Sequence, residues 1–510
     1  MKVTRQLRQM MGMQQKPLLM AGICLLFAGC TVGPDFRRPD APAVSGYTRE
    51  KLAEHTAAAD VAGGQAQSFL SGADIPSQWW TLFHSQQLNQ MVEDALNNNP
   101  DLAAAKAALV QAQENTYAAQ GVYYPSLDAN ASASRKKTTG SQYGNPGGRG
   151  TQFNLFNASV DVAYVFDLFG GERRNVEALA AVAESEGYQL EAARLTLTSN
   201  VVTAAIEEAS LRGQIAATEE IIESEQQQLE MLQKQFELGG ISKSDVLAGK
   251  TRLAQTRATL PALHKKLALI RNQLTALAGR FPEQESGSAF TLSALQLPQQ
   301  LPLSLPSELV RQRPDIRAAE AQLHTASAQV GVATAKFFPQ ISISGSFGSV
   351  ATTTANLFSP GTGVWSIGTN LLQPILHGGS SIHNRRAAVA AYNKAAAQYQ
   401  STVLAAFQNV ADVLRSLQSD AEGLQAQTHA VQAASEQLDM ARAQFSAGAI
   451  NNLLLLDAQR SYEQARISLV QAQASRYADT AALFQALGGG WWHHADTTAM
   501  TSAAQTDVKP

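Results

Sequence analysis

The chain has 510 residues, 45% of them hydrophobic and only 16% charged, with a formal net charge of −3. Roughly a quarter of residues are charged in an average soluble protein, so much of this surface must be uncharged and polar, and Ala and Gln are indeed frequent. With no basic run and no basic patch interleaved with aromatics, a nucleic-acid partner is excluded.

In chain order, the N-terminus carries Lys2, Arg5, Arg8 and Lys16, then an apolar stretch from Leu18 to Phe27, then Ala28-Gly29-Cys30. That is the layout of an export signal over residues 1–29, with an apolar run too short to span a bilayer. Small residues directly before a cysteine resemble the bacterial lipobox, although Phe27 stands where Leu is usual. Cys30 is therefore expected to begin the mature chain and to carry a diacylglycerol anchor. The other cysteine, Cys24, leaves with the signal, so an internal disulfide is excluded. After residue 30 no run of about 18 apolar residues occurs. A mature chain that crosses a bilayer must do so as closed β-structure.

The remainder is written twice. Asn99-Pro100-Asp101-Leu102 answers to Arg313-Pro314-Asp315-Ile316, and Tyr123-Tyr124-Pro125 to Phe337-Phe338-Pro339, both at an offset of 214. Further matches pair Gly170-Gly171 with Gly378-Gly379, and Phe236-Glu237-Leu238-Gly239 with Phe445-Ser446-Ala447-Gly448. These divide the chain into a lipid-anchored arm (30–85), a first repeat (86–290), a second repeat (291–488) and a C-terminal tail without fixed structure (489–510).

Each repeat opens with Ala/Gln-rich helical text, from Pro100 to about Val122 and from Pro314 to about Lys336, with Pro at the first helical position. After the aromatic-aromatic-Pro punctuation the period falls to two. Leu127, Ala129, Ala131 and Ala133 alternate with Asp128, Asn130, Ser132 and Ser134, and Ile341, Ile343 and Phe347 alternate with serines. A second strand per repeat follows: Phe156 through Phe166 on one face, with Asp161 and Asp167 on the other, and then Trp365, Ile367, Thr369 and Leu371. Four strands of membrane-spanning length cannot close a barrel, so several chains must contribute, and three would supply twelve strands.

From Gly171 to Phe236, and from Gly379 to Phe445, each stretch reads as one helix of about 65 residues and ~100 Å. Val403, Val410, Leu417, Leu424, Val431, Leu438 and Phe445 recur at sevens, as do Ile215, Ile222, Leu229 and Phe236. The returning segments keep the period, broken in the second copy only by Arg476. A strict heptad means left-handed coiled-coil contact. Short connections at Gly239-Gly240-Ile241-Ser242 and Gly448-Ala449-Ile450-Asn451 make these antiparallel hairpins.

These residues together resemble a known family, the TolC-like outer membrane factors of tripartite efflux pumps, and within it the lipoproteins that serve resistance-nodulation-division (RND) transporters. The resemblance is carried, in this order, by Ala28-Gly29-Cys30, Trp79-Trp80, Asn99-Pro100-Asp101-Leu102, Arg313-Pro314-Asp315-Ile316, Phe338-Pro339, Leu456-Asp457-Ala458-Gln459-Arg460-Ser461 and Ala486-Leu487-Gly488-Gly489-Gly490-Trp491. It implies a mainly α chain with an internal duplication, assembled as a homotrimer with a twelve-stranded transmembrane β-barrel and a long antiparallel α-helical barrel. Implied partners are outer-membrane lipid, a periplasmic adaptor and an inner-membrane RND-type transporter. The implied place is the outer membrane, with the helices reaching into the periplasm.

The expected sites are then an anchor, a gate and docking tips. Cys30 is the anchor; Asp439, Arg442 and Gln444 are gate candidates; Gly239, Gly240, Gly448 and Ala449 form the adaptor-docking tips. Asp161 and Asp167 are candidates to line the pore. Family members often place Arg before the tip aromatic, where this chain has Gln235 and Gln444. Trp79, Trp80 and Phe83 are expected to pack the arm against the helices. No G-x-S-x-G, Walker loop, H-E-x-x-H or cysteine cluster occurs, so neither catalysis, a cofactor nor a metal is expected. Alternatives to small-molecule efflux are a conduit for protein or polymer secretion, and a non-conducting coiled-coil spacer.

Overall fold

Helices dominate the computed structural model, which describes residues 31–139, 148–284 and 289–493. Cys30 lies outside the described residues. After a short strand β1 (Ser68–Ser71), the first repeat runs α1 (Gln86–Asn98), α2 (Pro100–Gln120), β2 (Ser126–Lys137), β3 (Gln152–Phe166), α3 (Gly171–Glu237) and α4 (Lys243–Leu277). The second begins with β4 (Gln300–Leu303) and continues α5 (Pro306–Gln312), α6 (Pro314–Ala335), β5 (Gln340–Ala351), β6 (Gly363–Leu372), α7 (Ser380–Ser446) and α8 (Asn452–Ala486). The outgoing helices α3 and α7 have 67 residues each and the returning α4 and α8 have 35 each, so the duplication extends to the length of every long element. The chain divides into two compact units, one comprising Met1–Arg38, Leu109–Ser185 and Ala319–Tyr399, the other Pro39–Ala108, Glu186–Ala318 and Gln400–Pro510.

The first unit holds a four-stranded antiparallel sheet in the order β2-β3-β5-β6, one hairpin from each repeat. Its register sorts side chains into rows. Ala129, Val160, Phe347 and Trp365 stand opposite one another, and the adjacent row is Asp128, Asp161, Ser346 and Ser366. Neighbouring residues of a strand point to opposite faces, so one face is apolar and the other polar across all four strands. Beside the sheet, residues of the arm are tied down. The Val32 amide donates to the Phe169 carbonyl at 3.1 Å. The buried Arg174 guanidinium donates to Asp35 at 2.6 Å and to Glu177 at 2.8 Å, while Phe36 stacks on His324 at 4.4 Å.

The second unit is built on the heptads. Val410, Leu417 and Leu424 of α7 are fully buried, and Leu455 and Leu483 hold the matching positions of α8. Arg476, the residue that interrupts the heptad, is fully buried as well. Its guanidinium donates to the carbonyls of Ala57 and Gln65 and to the Thr56 hydroxyl, so the break is the point where the arm is fastened to α8. Trp79 stacks on Phe484 at 5.3 Å, and Phe83 lies 6.3 Å from Tyr477, which is the aromatic packing of the arm expected from sequence.

The two matched Pro motifs do matched work. Asn99 accepts from the Asp101 and Leu102 amides, capping α2, and donates to the carbonyl of Leu277, the last residue of α4. Arg313 grips Asp315 with two nitrogens and donates to the carbonyl of Ala486, the last residue of α8. Each motif thus closes the open end of its returning helix, where four carbonyls lack intrahelical partners. Beyond α8 the described chain runs on through residues 487–493. Gly488, Gly489 and Gly490 all take positive φ, 99°, 69° and 72°, wrapping the chain so that Trp491 is buried and its indole donates to the Gln312 carbonyl.

Candidate functional site

Three places carry the site residues: the sheet, the hairpin tips and the layer of buried charge behind the tips. In the sheet, Asp161 lies in the polar row opposite Asp128 and Ser346, and its carboxylate accepts from the Ser159 hydroxyl at 3.1 Å. Asp167 does not share that row. It follows the last residue of β3, and its carboxylate accepts from the backbone amides of Glu172 (3.1 Å) and Arg173 (2.8 Å) at the start of α3. A helix N-terminus presents unpaired amides and partial positive charge, so Asp167 is a helix cap rather than a group displayed on the strand. The strand's alternation continues in sequence past its structural end at Phe166, so parity alone places Asp167 on the strand face.

At the tips, α3 and α7 end identically. The Gly239 amide donates to the Phe236 carbonyl and the Gly240 amide to Gln235; Gly448 donates to Phe445 and Ala449 to Gln444. This paired pattern is the Schellman closure, which needs a left-handed residue, and Gly239 and Gly448 supply it at φ 79° and 73°. Ser242 then opens α4 in a reciprocal capping box with Asp245, and Asn451 caps α8 by accepting from the Leu454 amide. Leu438, Ala441, Leu455 and Ala458 form the small core that holds α7 to α8 beneath the second tip.

Of the gate candidates, Asp439 and Arg442 face each other at 3.7 Å on α7, and Arg442 also donates to the Ser224 hydroxyl of α3 at 2.8 Å. Gln444 is exposed, and its backbone carbonyl belongs to the tip closure. Sequence reasoning missed the charge behind them. Glu225 of α3 accepts from Arg252 of α4 at 3.0 Å and from the Thr256 hydroxyl at 3.1 Å, and Arg252 also pairs with Glu463 of α8. Burial pushes the Glu225 carboxyl up, against the Thr256 hydroxyl and the Arg252 guanidinium that hold it down. Further along the same helices, Asp420 of α7 hydrogen-bonds Asp479 of α8; burial first, and then Asp420, push Asp479 up to about 6. The available signal was a charged residue on a helical face otherwise rich in Leu and Ala.

The family model described as outer membrane efflux protein matches residues 91–280 and 305–489, one segment in each repeat. The chain belongs to that family. Its place is the outer membrane, and the family is one of transport channels rather than enzymes. The efflux protein is 28% identical over 497 residues to the probable efflux pump outer membrane protein TtgC of Pseudomonas putida, a match that covers 97% of this chain and 99% of TtgC. To the pyoverdine export outer membrane protein OpmQ of Pseudomonas aeruginosa it is 30% identical, covering 94% of this chain and 98% of OpmQ. The solved structure of the outer-membrane channel OprN superposes with a TM-score of 0.81 at 29% identity, over 91% of this chain and 100% of OprN.

Proposed function

We propose that the efflux protein is the exit duct of a tripartite pump, passively conducting drugs or other toxic small molecules from an inner-membrane RND-type transporter and a periplasmic adaptor to the outside. The observation that carries this reading is the sheet, with one apolar face, one polar face and edges at β2 and β6 that have no neighbouring strand among the described residues. Open edges in lipid leave backbone groups unpaired at several kcal/mol each. Three copies joined β6 to β2 remove every edge and give about twelve strands, an even number in the bacterial range. The apolar rows then meet lipid, and Asp161 stands in the row that meets water.

A lipid on Cys30 holds the arm at the membrane, a role supported by the ties from Val32 to Phe169, just past β3, and from Asp35 to Arg174 in the first turn of α3. The turns at Gly239, Gly240, Gly448 and Ala449 receive the adaptor. Asp439, Arg442 and Gln444 keep the tips closed at rest, a role supported by the reach of Arg442 to α3. Small-molecule cargo is favoured over secreted protein because TtgC is named for an efflux pump and OpmQ for pyoverdine export.

Conductance of the detergent-extracted protein in a planar bilayer, measured beside its oligomeric mass, tests the reading. Trimers with discrete openings are expected. A natively folded protein that is monomeric and never conducts overturns the duct and leaves a coiled-coil spacer.

A further inference from the structure

Both hairpin turns of the four-stranded sheet lie at the end opposite its connections to helices: β2 and β5 begin after α2 and α6, and β3 and β6 end before α3 and α7. The apolar rows run from Phe166-Ile341-Leu371, beside those connections, to Ala133-Phe156-Ala351. From Phe166 to Phe156 is ten residue steps, ~34 Å along the strand. At a barrel tilt of about 40° that is roughly 25 Å of height, the thickness of the apolar band on an outer-membrane barrel.

The hairpin of β2 and β3 continues past this band for two further rows on the same face, and each row carries a base. Arg135 stands opposite Asn154, and Lys137 opposite Gln152. Side chains of one face recur every second residue, so both bases rise from the apolar side of β2, directly beyond Ala133. Lys136, between them, belongs to the other face, opposite Phe153. All three are exposed, as is Arg149 before β3. None of the four has an ion-pair partner among the described residues. The sequence supplies no carboxylate nearby: residues 129–160 and 347–365, outward of the row of Asp128, Asp161, Ser346 and Ser366, hold these four bases and no Asp or Glu.

Uncompensated positive charge thus gathers at one end of the sheet, and Arg135 and Lys137 stand at the height where hydrocarbon gives way to headgroups. A guanidinium takes phosphate bidentately and an ammonium takes it as a point charge. The amides of Asn154 and Gln152, directly opposite, are further donors for phosphate or sugar oxygens. We infer that these four side chains form a binding surface for the phosphates of the outer-leaflet glycolipid, lipopolysaccharide. The inference rests on the duct reading, which puts the apolar rows in lipid and the hairpin turns at the cell exterior. A lipid phosphate fits better than a free anion because acyl chains beneath it lie along the apolar rows that end at Ala133 and Phe156. Bound there, the lipid offsets repulsion among the bases and fastens the outer rim of the barrel to the leaflet.

The test titrates full-length protein, purified in detergent and stripped of lipid, with bisphosphorylated lipid A, with the same lipid A dephosphorylated, and with inorganic phosphate. Binding is read by thermophoresis, and the oligomeric mass and planar-bilayer conductance of every variant are measured beside it. Saturable binding of the bisphosphorylated lipid that neither control reproduces is expected. Arg135→Gln combined with Lys137→Gln should weaken it about thirtyfold, roughly fivefold for each basic residue lost. Lys136→Gln, the same change of charge on the opposite face, should leave it unaltered. Three results overturn the inference: dephosphorylated lipid A binding as tightly, inorganic phosphate binding as tightly, or Lys136→Gln weakening binding as much as the double variant. Any of these in a protein that is trimeric and conducts leaves the duct standing. A parent protein that neither trimerises nor conducts fells the duct, and this surface with it.

Discussion

At the scale of single residues, the informative ones are charges placed where the heptad calls for Leu. Arg476 spends its guanidinium on Ala57, Gln65 and Thr56, all in the arm. An apolar residue of similar size can fill the space on α8 but leaves the Ala57 and Gln65 carbonyls and the Thr56 hydroxyl without their donor. Arg476→Leu should therefore leave the helical circular dichroism intact while releasing the arm, seen as new proteolytic cleavage between residues 55 and 67. Loss of helix instead would mean that the arginine supports α8 itself. Asp479 gives a prediction with a sign. Between its ordinary value of 3.8 and about 6, the folded chain keeps a proton that the unfolded chain has released. The stability contributed by the Asp420–Asp479 pair is thus full below 3.8 and lost as pH rises through about 6. Asp479→Asn cannot charge, so it should melt higher than the parent at pH 7.5, with the gain vanishing below about pH 4. An equal gain at both pH values would exclude the carboxyl pair as its cause.

At the scale of elements, most of the fold is legible because each element has a period of its own. Alternation from Leu127 onward marks β2, and sevens from Val403 to Phe445 mark α7 to within a residue of its end at Ser446. The tips were legible as turns because Gly is the residue that accepts positive φ without a Cβ penalty. What was not legible depends on contacts distant in sequence. Gly488-Gly489-Gly490 reads locally as a breaker, yet the three glycines curl Trp491 onto Gln312, 179 residues away. The partnership of Glu225 with Glu463, through Arg252, likewise exists only once three helices meet. Two glycines with equal φ roles separate local from distant constraint. A Cβ on Gly448 meets nothing within 4 Å, whereas one on Gly488 comes within 3.0 Å of the Gln312 carbonyl oxygen. Gly448→Ala should cost about 1–2 kcal/mol, confined to faster amide exchange in the last turn of α7. Gly488→Ala should cost more and lower the melting of the whole second unit; equal effects would mean that the close approach carries no weight.

At the scale of the whole molecule, the sheet decides between a duct and a spacer, because its two faces make opposite demands on their surroundings. Ile367, in the middle of β6, belongs to the apolar rows opposite Gly345, and Ser366 beside it belongs to the polar row opposite Ser346. Both side chains stand exposed on an isolated chain, so water would tolerate a lysine at either position equally. Lipid would not: a lysine on the bilayer-facing side of a barrel costs about 2–4 kcal/mol near the midplane, and every copy in a trimer incurs that cost. Ile367→Lys should therefore deplete trimer from the outer membrane, while Ser366→Lys, with the same charge one residue away, should assemble normally. Its added positive charge in the row of Asp128 and Asp161 should shift single-channel selectivity toward anions. Equal assembly of the two variants would mean that neither face of this sheet meets lipid, and the duct reading would fall with it.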